Sequence, residues 1–310
     1  MALLSAPLSN LRTKVVPITD NLQRIQLRLE QQLAQRLAHH SIEDTLQEAM
    51  RYSVFNGGKR IRPALIYIVN QALEGSLANA DDAACAMEAL HSYSLVHDDL
   101  PAMDDDDLRR GKATCHIQFD EATAILAGDA LQCIAFQWLS QQQNDLSAMF
   151  QLQMVNVLSK ASGDSGMVAG QAFDLANVDK PLSLEQLQAM HCHKTGALIN
   201  ASIELGIISA NAQVSNATRE SLLKYGDAIG LAFQVQDDIL DIIGDTQTLG
   251  KPQGSDIAAN KPTYPSLLGI EGAQQKLQDL YQQAIDATYC LGERGEPLRQ
   301  LAKYIVERDH

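Results

Sequence analysis

Residues 83–107 read AACAMEALHSYSLVHDDLPAMDDDD. The first eight of these residues carry the i, i+3, i+4, i+7 apolar spacing of one helix face. The apolar positions are Ala83, Ala86, Met87 and Leu90. Residues 222–243 have the same helical character over several turns, whereas alternating runs of β-branched residues are scarce. The chain is therefore predicted to be an all-α protein.

The breaks between the candidate helices are short, and the chain has no long linker, fixed-period repeat or low-complexity tract. Further candidate helices span residues 20–39, 41–55, 64–73, 117–140, 146–162, 183–209, 271–291 and 295–308. We predict a single domain over residues 1–310, with a helical N-terminal segment (1–40) that carries no motif. About ten helices favour a central bundle with peripheral helices.

The composition limits the class of protein. The 310 residues are 45% apolar and carry a net charge of −14, which argues against nucleic acid as a main partner. The five cysteines form no CxxC pair, so a reducing compartment is expected. We find no secretory leader and no apolar stretch long enough to span a bilayer. A cytoplasmic protein without a transmembrane segment is expected.

The first acidic cluster, residues 98–107, holds six carboxylates. Asp98 continues a stripe that includes Leu90 and Ser94, and an unpaired carboxylate that faces a core is costly unless a cation is present. Pro101 is expected to end the helix and to let Asp104 turn back toward Asp98.

The second acidic cluster, residues 237–241, reads DDILD in a strongly apolar context. Asp237 and Asp241 are four residues apart, so they share a helix face, where like charges repel. Two such clusters on apolar helices predict a shared site for a hard cation, and Mg²⁺ is the natural occupant of carboxylate oxygens.

Basic residues gather beside turns, as a metal-bridged phosphate site requires. Lys59 and Arg62 follow a Gly-Gly pair, and Arg109 and Arg110 directly follow the first acidic cluster. Lys194 and Thr195 lie in HCHKTG, whereas Lys251 and Lys261 lie in the Gly/Pro-rich segment after the second cluster. Each position alone is weak evidence for a site, since most surface cations are simply solvated.

Together these motifs resemble those of the short-chain trans-prenyl diphosphate synthases. DDLPAMD and DDILD are similar to the family's two aspartate-rich motifs. GGKRIRP, HSYSLVHDD, DDLRRGKATCH, LAGDAL, GQAFDL, HKTGALI, FQVQDDILD, GDTQTLGK and NKPTYP follow in family order. The resemblance covers about residues 45–270. Four residues separate Asp99 from Asp104, as in the bacterial branch that makes farnesyl diphosphate.

The resemblance implies the isoprenoid synthase fold, with an antiparallel bundle around a deep apolar cavity, and a homodimer. It implies elongation of dimethylallyl and geranyl diphosphate by isopentenyl diphosphate, with three Mg²⁺ ions per active site that Mn²⁺ can replace. The implied metal ligands are Asp98, Asp104 and Asp237, with Asp99 and Asp241 as further motif members. The implied isopentenyl diphosphate ligands are Lys59, Arg62, His91 and Arg110. The implied allylic diphosphate ligands are Arg109, Lys194, Lys251 and Lys261, with Thr195 and Gln234 as neutral partners. Of these residues, Asp98, Asp104, Asp237, Lys194 and Arg109 are the implied catalytic set.

Product length is expected to depend on the residues just before the first acidic cluster. Tyr93 lies five residues before Asp98, about 7–8 Å along the helix. An aromatic residue at this position is similar to the enzymes that stop at fifteen carbons. Five residues correspond to a rotation of about 140°, so Ser94 lies more directly below Asp98.

Several alternative readings remain. A geranylgeranyl or geranyl diphosphate synthase would share every motif. A catalytically silent regulatory subunit should lack an aspartate motif, and both motifs are intact here. A terpene cyclase would need an aromatic-rich pocket, and only 5% of the residues are aromatic. A metal phosphohydrolase built on His91 and the His97-Asp98 doublet would leave the second acidic cluster unexplained.

Overall fold

A computed structural model of the protein describes residues 17–38, 42–141, 145–243 and 262–308. The helices are α1 (Ile18–Arg36), α2 (Asp44–Val54), α3 (Ile61–Ala72), α4 (Leu77–Asp98), α5 (Cys115–Gln118), α6 (Glu121–Ser140), α7 (Ala148–Ser162), α8 (Met167–Ala176), α9 (Leu184–His191), α10 (Ala197–Ser209), α11 (Asn216–Ile243), α12 (Tyr264–Ala287) and α13 (Glu296–Glu307). A π-helical turn (Cys192–Gly196) joins α9 to α10, and a 3-10 helix (Tyr289–Gly295) precedes α13. The prediction of an all-α protein is confirmed.

Helix α4 lies at the centre of the bundle, because α3, α6 and α10 all pack against it. The predicted apolar stripe on residues 83–90 understates its burial: Ala84, Cys85 and Ala89 lie between the stripe positions and are also fully buried. A helix that is covered on every side needs no polar face. Its one acidic residue in this stretch, Glu88, is buried in an ion pair with Arg60 at the start of α3.

A second, smaller apolar core joins α9, α11 and α12. Leu187 of α9, Val235 of α11 and Leu280 of α12 contribute to it. The second acidic cluster therefore lies on a helix that packs against both neighbours, which explains its apolar context in the sequence.

Helix α1 is fastened to the bundle by charge as well as by apolar packing. Arg28 donates to both carboxylate oxygens of Asp81 over 2.7 Å, and the Tyr67 hydroxyl donates to the same carboxylate over 2.8 Å. The part of the N-terminal segment that the structure describes thus serves to cover α3 and α4. Residues 1–16 lie outside the described chain.

Three local features differ from the predicted helices. The predicted helix 117–140 is divided, because the Asp120 carboxylate accepts a hydrogen bond from the Thr123 backbone nitrogen (2.8 Å) and so starts α6. The predicted helix 183–209 contains the π-helical turn. Helix α8 was not predicted at all.

The fourth difference is a two-stranded antiparallel hairpin, β1 (Leu108–Arg109) and β2 (Lys112–Ala113). Its two turn residues, Arg110 and Gly111, both have positive φ (55° and 75°), as a type I′ turn requires. Among the described residues this is the only sheet.

Helix α6 is the one helix in the described ranges that is long and apolar enough to cross a membrane. It packs against α4, and its residues Ala124, Ala127 and Leu131 are fully buried. Core helices of bundles pass the same test of length and composition, so this finding is weak evidence for a span.

Candidate active site

A cavity of about 360 Å³ lies beside the C-terminal half of α4. Its lining includes Tyr93, Ser94, Met103, Met167, Leu175 and Thr195. Tyr93 and Ser94 both face it, in agreement with the position expected for a pocket floor. The Tyr93 ring is nearly buried and meets the His97 ring edge to face, with 5.4 Å between the ring centroids.

The first acidic cluster folds back over the mouth of this cavity. The Asp104 backbone nitrogen donates to the Asp98 carbonyl over 2.9 Å, and the Asp106 nitrogen donates to the Asp99 carbonyl over 3.2 Å. The predicted turn after Pro101 is thereby confirmed. The structure places Asp98, which lines the cavity, next to the exposed Asp104.

The electrostatics of Asp98 favour a cation. Burial raises the pKa of Asp98 to about 6; Lys194 opposes this shift, and Asp104 adds to it. Two neighbouring carboxylates of which one is partly desolvated present the oxygen donors that Mg²⁺ takes. The residues present therefore fit the metal that the sequence predicted.

Asp99 has a different neighbour. The Arg109 Nε lies 2.7 and 2.8 Å from the two Asp99 carboxylate oxygens, and Asp99 is only 3% exposed. The hairpin returns Arg109 to the end of α4, and the pair fixes the hairpin there. In this structure Asp99 orients Arg109, so the metal role of Asp99 and the diphosphate role of Arg109 stay predictions.

The turn before α3 presents two of the predicted cations. Arg60 adopts a left-handed backbone conformation (φ 52°), is buried against Glu88, and donates to the Val54 carbonyl over 2.6 Å. Lys59 precedes this anchor directly, and Arg62, two residues after it, lines the cavity. Arg60 was not predicted as a site residue, and its role here is to support the turn.

Arg62, His91 and Arg110 bring two guanidinium groups and an imidazole together, with Glu88 as the carboxylate that acts most strongly on both arginines. Arg62 Nη1 lies 3.3 Å from His91 Nε2, and Arg110 donates to the Gly57 carbonyl. Burial lowers the pKa of Arg62 to about 10, and Arg110 acts in the same direction. Burial and then Arg62 and Arg110 hold the pKa of His91 well below its usual range. A polyanion would relieve both effects, so this group fits a diphosphate.

Lys194 and Thr195 lie on the π-helical turn, a distortion that often marks functional sites. The Lys194 Nζ lies 2.7 Å from the Asp174 carboxylate of α8, and Thr195 donates to the Gln234 side-chain oxygen over 3.1 Å. Lys194 borders both the cavity with Asp98 and a smaller pocket with Gln234 on α11. It thus connects the two halves of the predicted site.

The second acidic cluster is more enclosed than predicted. Asp237 is paired with Arg308, the last residue described, over 2.7 Å. Asp238 accepts a hydrogen bond from the Tyr264 backbone nitrogen (2.8 Å), and Asp241 is only 1% exposed. The predicted shared face is therefore uneven, because Asp241 is buried whereas the Asp237 side chain is 43% exposed.

The structure assembles part of the predicted site and leaves part of it outside the described residues. Lys251 and Lys261 fall in residues 244–261, which the structure does not describe. Within the described ranges, no group of three or more His, Cys, Asp or Glu side chains is gathered as a complete metal site. The metal role of Asp237 and Asp241 stays a prediction.

Sequence reasoning missed Asp174 and Arg308. Asp174 lies in GQAFDL, a motif that was recognised without a residue role, and Arg308 stands in the ERDH terminus. Neither residue carries a local pattern that names its partner, since Lys194 and Asp237 lie 20 and 71 residues away in the chain.

The comparisons agree with this fold. The sequence profile described as Polyprenyl synthetase matches residues 43–290. The chain belongs to the polyprenyl synthetase family.

The individual relatives are named as synthases of isoprenoid diphosphates or as a geranyltransferase. The chain is 48% identical to the farnesyl diphosphate synthase of Haemophilus influenzae over 94% of this chain and 98% of that protein. It is 45% identical to geranylgeranyl pyrophosphate synthase 11, chloroplastic, of Arabidopsis thaliana, over 85% of this chain and 75% of that protein. The crystal structure of a geranyltransferase from Legionella pneumophila superposes with a TM-score of 0.85 at 37% identity, over 94% of this chain and 97% of that one.

Proposed function

We propose that the protein is a prenyltransferase that condenses isopentenyl diphosphate with dimethylallyl and then geranyl diphosphate, giving (E,E)-farnesyl diphosphate and diphosphate. The observation that carries this proposal is the apolar cavity with ionic borders. Asp98 and Asp104 lie together at its mouth, and Arg62 lines it beside His91. One border suits a metal-bound diphosphate and the other suits a second diphosphate.

The chemistry divides between these borders. The allylic C1–O bond breaks, and its electron pair leaves with the diphosphate, so negative charge grows at the cavity mouth while the chain becomes a carbocation. The alkene electrons of isopentenyl diphosphate form the new carbon–carbon bond, and the proton lost from that unit passes to the released diphosphate. When bound at Asp98 and Asp104, Mg²⁺ would supply neutralising charge for the leaving group.

The protein's own residues orient and shield the reactants. Lys194, held by Asp174, places a positive charge beside the leaving group, and Arg62 and Arg110 hold the isopentenyl diphosphate. The apolar lining excludes water, which would otherwise trap the cation as an alcohol. The three-ion stoichiometry and the role of Asp237 belong to this proposal.

Purified protein with Mg²⁺, isopentenyl diphosphate and dimethylallyl diphosphate tests the proposal, when the products are sized as alcohols after phosphatase treatment. Farnesol as the main product supports it. Mainly ten- or twenty-carbon alcohol would favour the geranyl or geranylgeranyl diphosphate synthase alternative, to which the plant relative also points. A folded protein that consumes no substrate would favour the silent subunit.

The product length is proposed to depend on Tyr93, whose ring closes the cavity against His97. Tyr93→Ala should extend the cavity and shift the main product to twenty carbons or more. Tyr93→Phe is the matched control, because it keeps the ring and should keep farnesol. Unchanged fifteen-carbon product from folded Tyr93→Ala protein would show that another residue ends the cavity.

A homodimer is part of the proposal, supported by a row of apolar side chains on α6 and α7. Leu126, Met149 and Leu152 are each more than half exposed, and these two helices pack side by side. We expect a particle of twice the chain mass in sedimentation experiments.

A cytoplasmic location is proposed as well, since the five cysteines are all free.

A further inference from the structure

Gln171 on α8 is buried without a partner. The residue is only 8% exposed, and neither its side-chain oxygen nor its side-chain nitrogen has a hydrogen-bond partner among the residues that the structure describes. A buried polar group without a partner costs about 1–3 kcal/mol. This cost is offset where a bound ligand supplies the missing polar partner.

The packing of α8 against the π-helical turn places Gln171 in the wall of the cavity. A Cβ atom at Gly170 would lie only 2.2 Å from the Lys194 backbone nitrogen, so the glycine lets α8 touch the π-helical turn directly. Asp174, one turn further along α8, holds the Lys194 ammonium. Gln171 lies between these two contacts and lines the cavity together with Asp98 and Thr195.

Ionisation of the allylic substrate is helped by an uncharged side chain whose dipole points its negative atom at the allylic carbon. The cations of the site serve the diphosphates, but a positive side chain next to the allylic carbon would oppose its ionisation. A carboxylate there would pair with Lys194 and would be costly to bury. A carboxamide offers an oxygen dipole without a net charge.

We infer that the Gln171 amide oxygen faces the allylic carbocation and stabilises it as the C1–O bond breaks. The inference rests on the proposed prenyl transfer and adds a catalytic residue to it. It also explains why α8 contacts the π-helical turn through a glycine: the close approach brings the amide to the cavity wall.

Two analogues of geranyl diphosphate separate this role from general binding, each measured by calorimetry with Mg²⁺ on the full chain. The first carries a tertiary ammonium in place of the cationic carbon C3, and the second is the thiolodiphosphate, whose hydrocarbon chain carries no charge. Gln171→Leu should weaken binding of the ammonium analogue by about tenfold to a hundredfold, as expected for a dipole contact with a charge. Its binding of the thiolodiphosphate should stay within about twofold of the wild type.

Gln151→Leu is the matched control. Gln151 is also 8% exposed, but its side chain donates to the Gln141 carbonyl over 2.6 Å on α7. Gln171→Leu should unfold at the same or a higher temperature than the wild type, because it removes an unpaired polar group. Gln151→Leu should unfold at a lower temperature and should bind both analogues normally.

The outcomes are distinct. Selective loss of the ammonium analogue in Gln171→Leu supports the inference. Equal loss of both analogues, or loss of neither, would overturn it while leaving the prenyl transfer intact. If the wild-type protein binds neither analogue, the proposed function fails and the inference fails with it.

Discussion

Both acidic clusters begin with an Asp-Asp pair, but they have different neighbours. In the first cluster, Asp98 and Asp104 lie together on the cavity side, and burial raises the pKa of Asp98 to about 6. In the second cluster, Asp237 is paired with Arg308, and Asp238 accepts a backbone hydrogen bond from Tyr264. Each cluster has one aspartate in an ion pair, Asp99 with Arg109 and Asp237 with Arg308, but Asp98 forms no ion pair with a described residue.

This difference shows that an aspartate motif does not by itself define a ready metal site. The first cluster ends α4 in a loop, so its carboxylates can approach a cation without moving a helix. The second cluster lies within α11 and is covered by α12 and the C-terminal residues. A cation that binds the Asp237 oxygen held by Arg308 competes with that guanidinium, whereas Asp98 forms no ion pair with a described residue.

The largest effect on activity is expected at the first acidic cluster (residues 98–107), which is called the open cluster below. Asp98→Asn should lower turnover of isopentenyl and geranyl diphosphates by about a thousandfold or more, because a charge that holds the metal at the leaving group is lost. Steady-state kinetics at saturating Mg²⁺ measure it. Asp105→Asn is the control: Asp105 is exposed, and asparagine accepts its positive φ of 53°. A loss of less than about tenfold in Asp98→Asn would contradict the assignment of the open cluster as the main metal site.

Sequence patterns predicted the parts of the molecule that depend on local spacing. The helical periodicity around Leu90 located α4, and Pro101 indicated the turn that returns Asp104 to Asp98. These features need only neighbouring residues, so the sequence contains the information. Thr195 and Gln234 were both predicted as neutral partners of the allylic diphosphate, and the hydrogen bond between them was not predicted.

The remaining features depend on contacts between distant parts of the chain. The π-helical turn at Lys194 follows from the packing of α8 against it, and α8 itself has a short, weakly patterned sequence. The Asp99–Arg109 pair depends on a hairpin whose strands are two residues long. No periodicity shows which carboxylate will meet which guanidinium once the chain is folded.

The second prediction concerns pH and the open cluster. The folded-state pKa of Asp98, about 6, exceeds the value of about 4 for an unfolded chain. In the metal-free protein its contribution to stability is therefore fully present below about pH 4 and is lost as the pH rises through about 6. Cation binding has the opposite trend, because protons compete: Mg²⁺ affinity should fall by about tenfold for each pH unit below about 6.

Thermal unfolding without metal and Mg²⁺ titration, each over a pH series, measure these two trends. Asp98→Asn should be more stable than the wild type near pH 7 without metal, and the difference should disappear near pH 4. Asp105→Asn should follow the wild type throughout. If Asp98→Asn and the wild type showed the same pH dependence of stability, Asp98 would not be the group that titrates.

The smallest effect on activity is expected at the second acidic cluster (residues 237–241). Arg308→Met removes the guanidinium that competes with a cation for Asp237 but keeps an apolar side chain over the Phe233 ring, where the Arg308 guanidinium now lies 3.9 Å from the centroid. A partly exposed ion pair contributes roughly 1 kcal/mol, so half-maximal activity should need about fivefold less Mg²⁺. Lys303→Met removes a cation from α13, which ends just before Arg308; among the described residues Lys303 is paired with Glu307 (3.7 Å), and its loss should leave the Mg²⁺ requirement unchanged. A fold defect would raise the Mg²⁺ requirement rather than lower it. An unchanged or raised requirement in Arg308→Met would therefore mean that Arg308 does not compete with the metal. The contrast between the two clusters would then lie in burial alone.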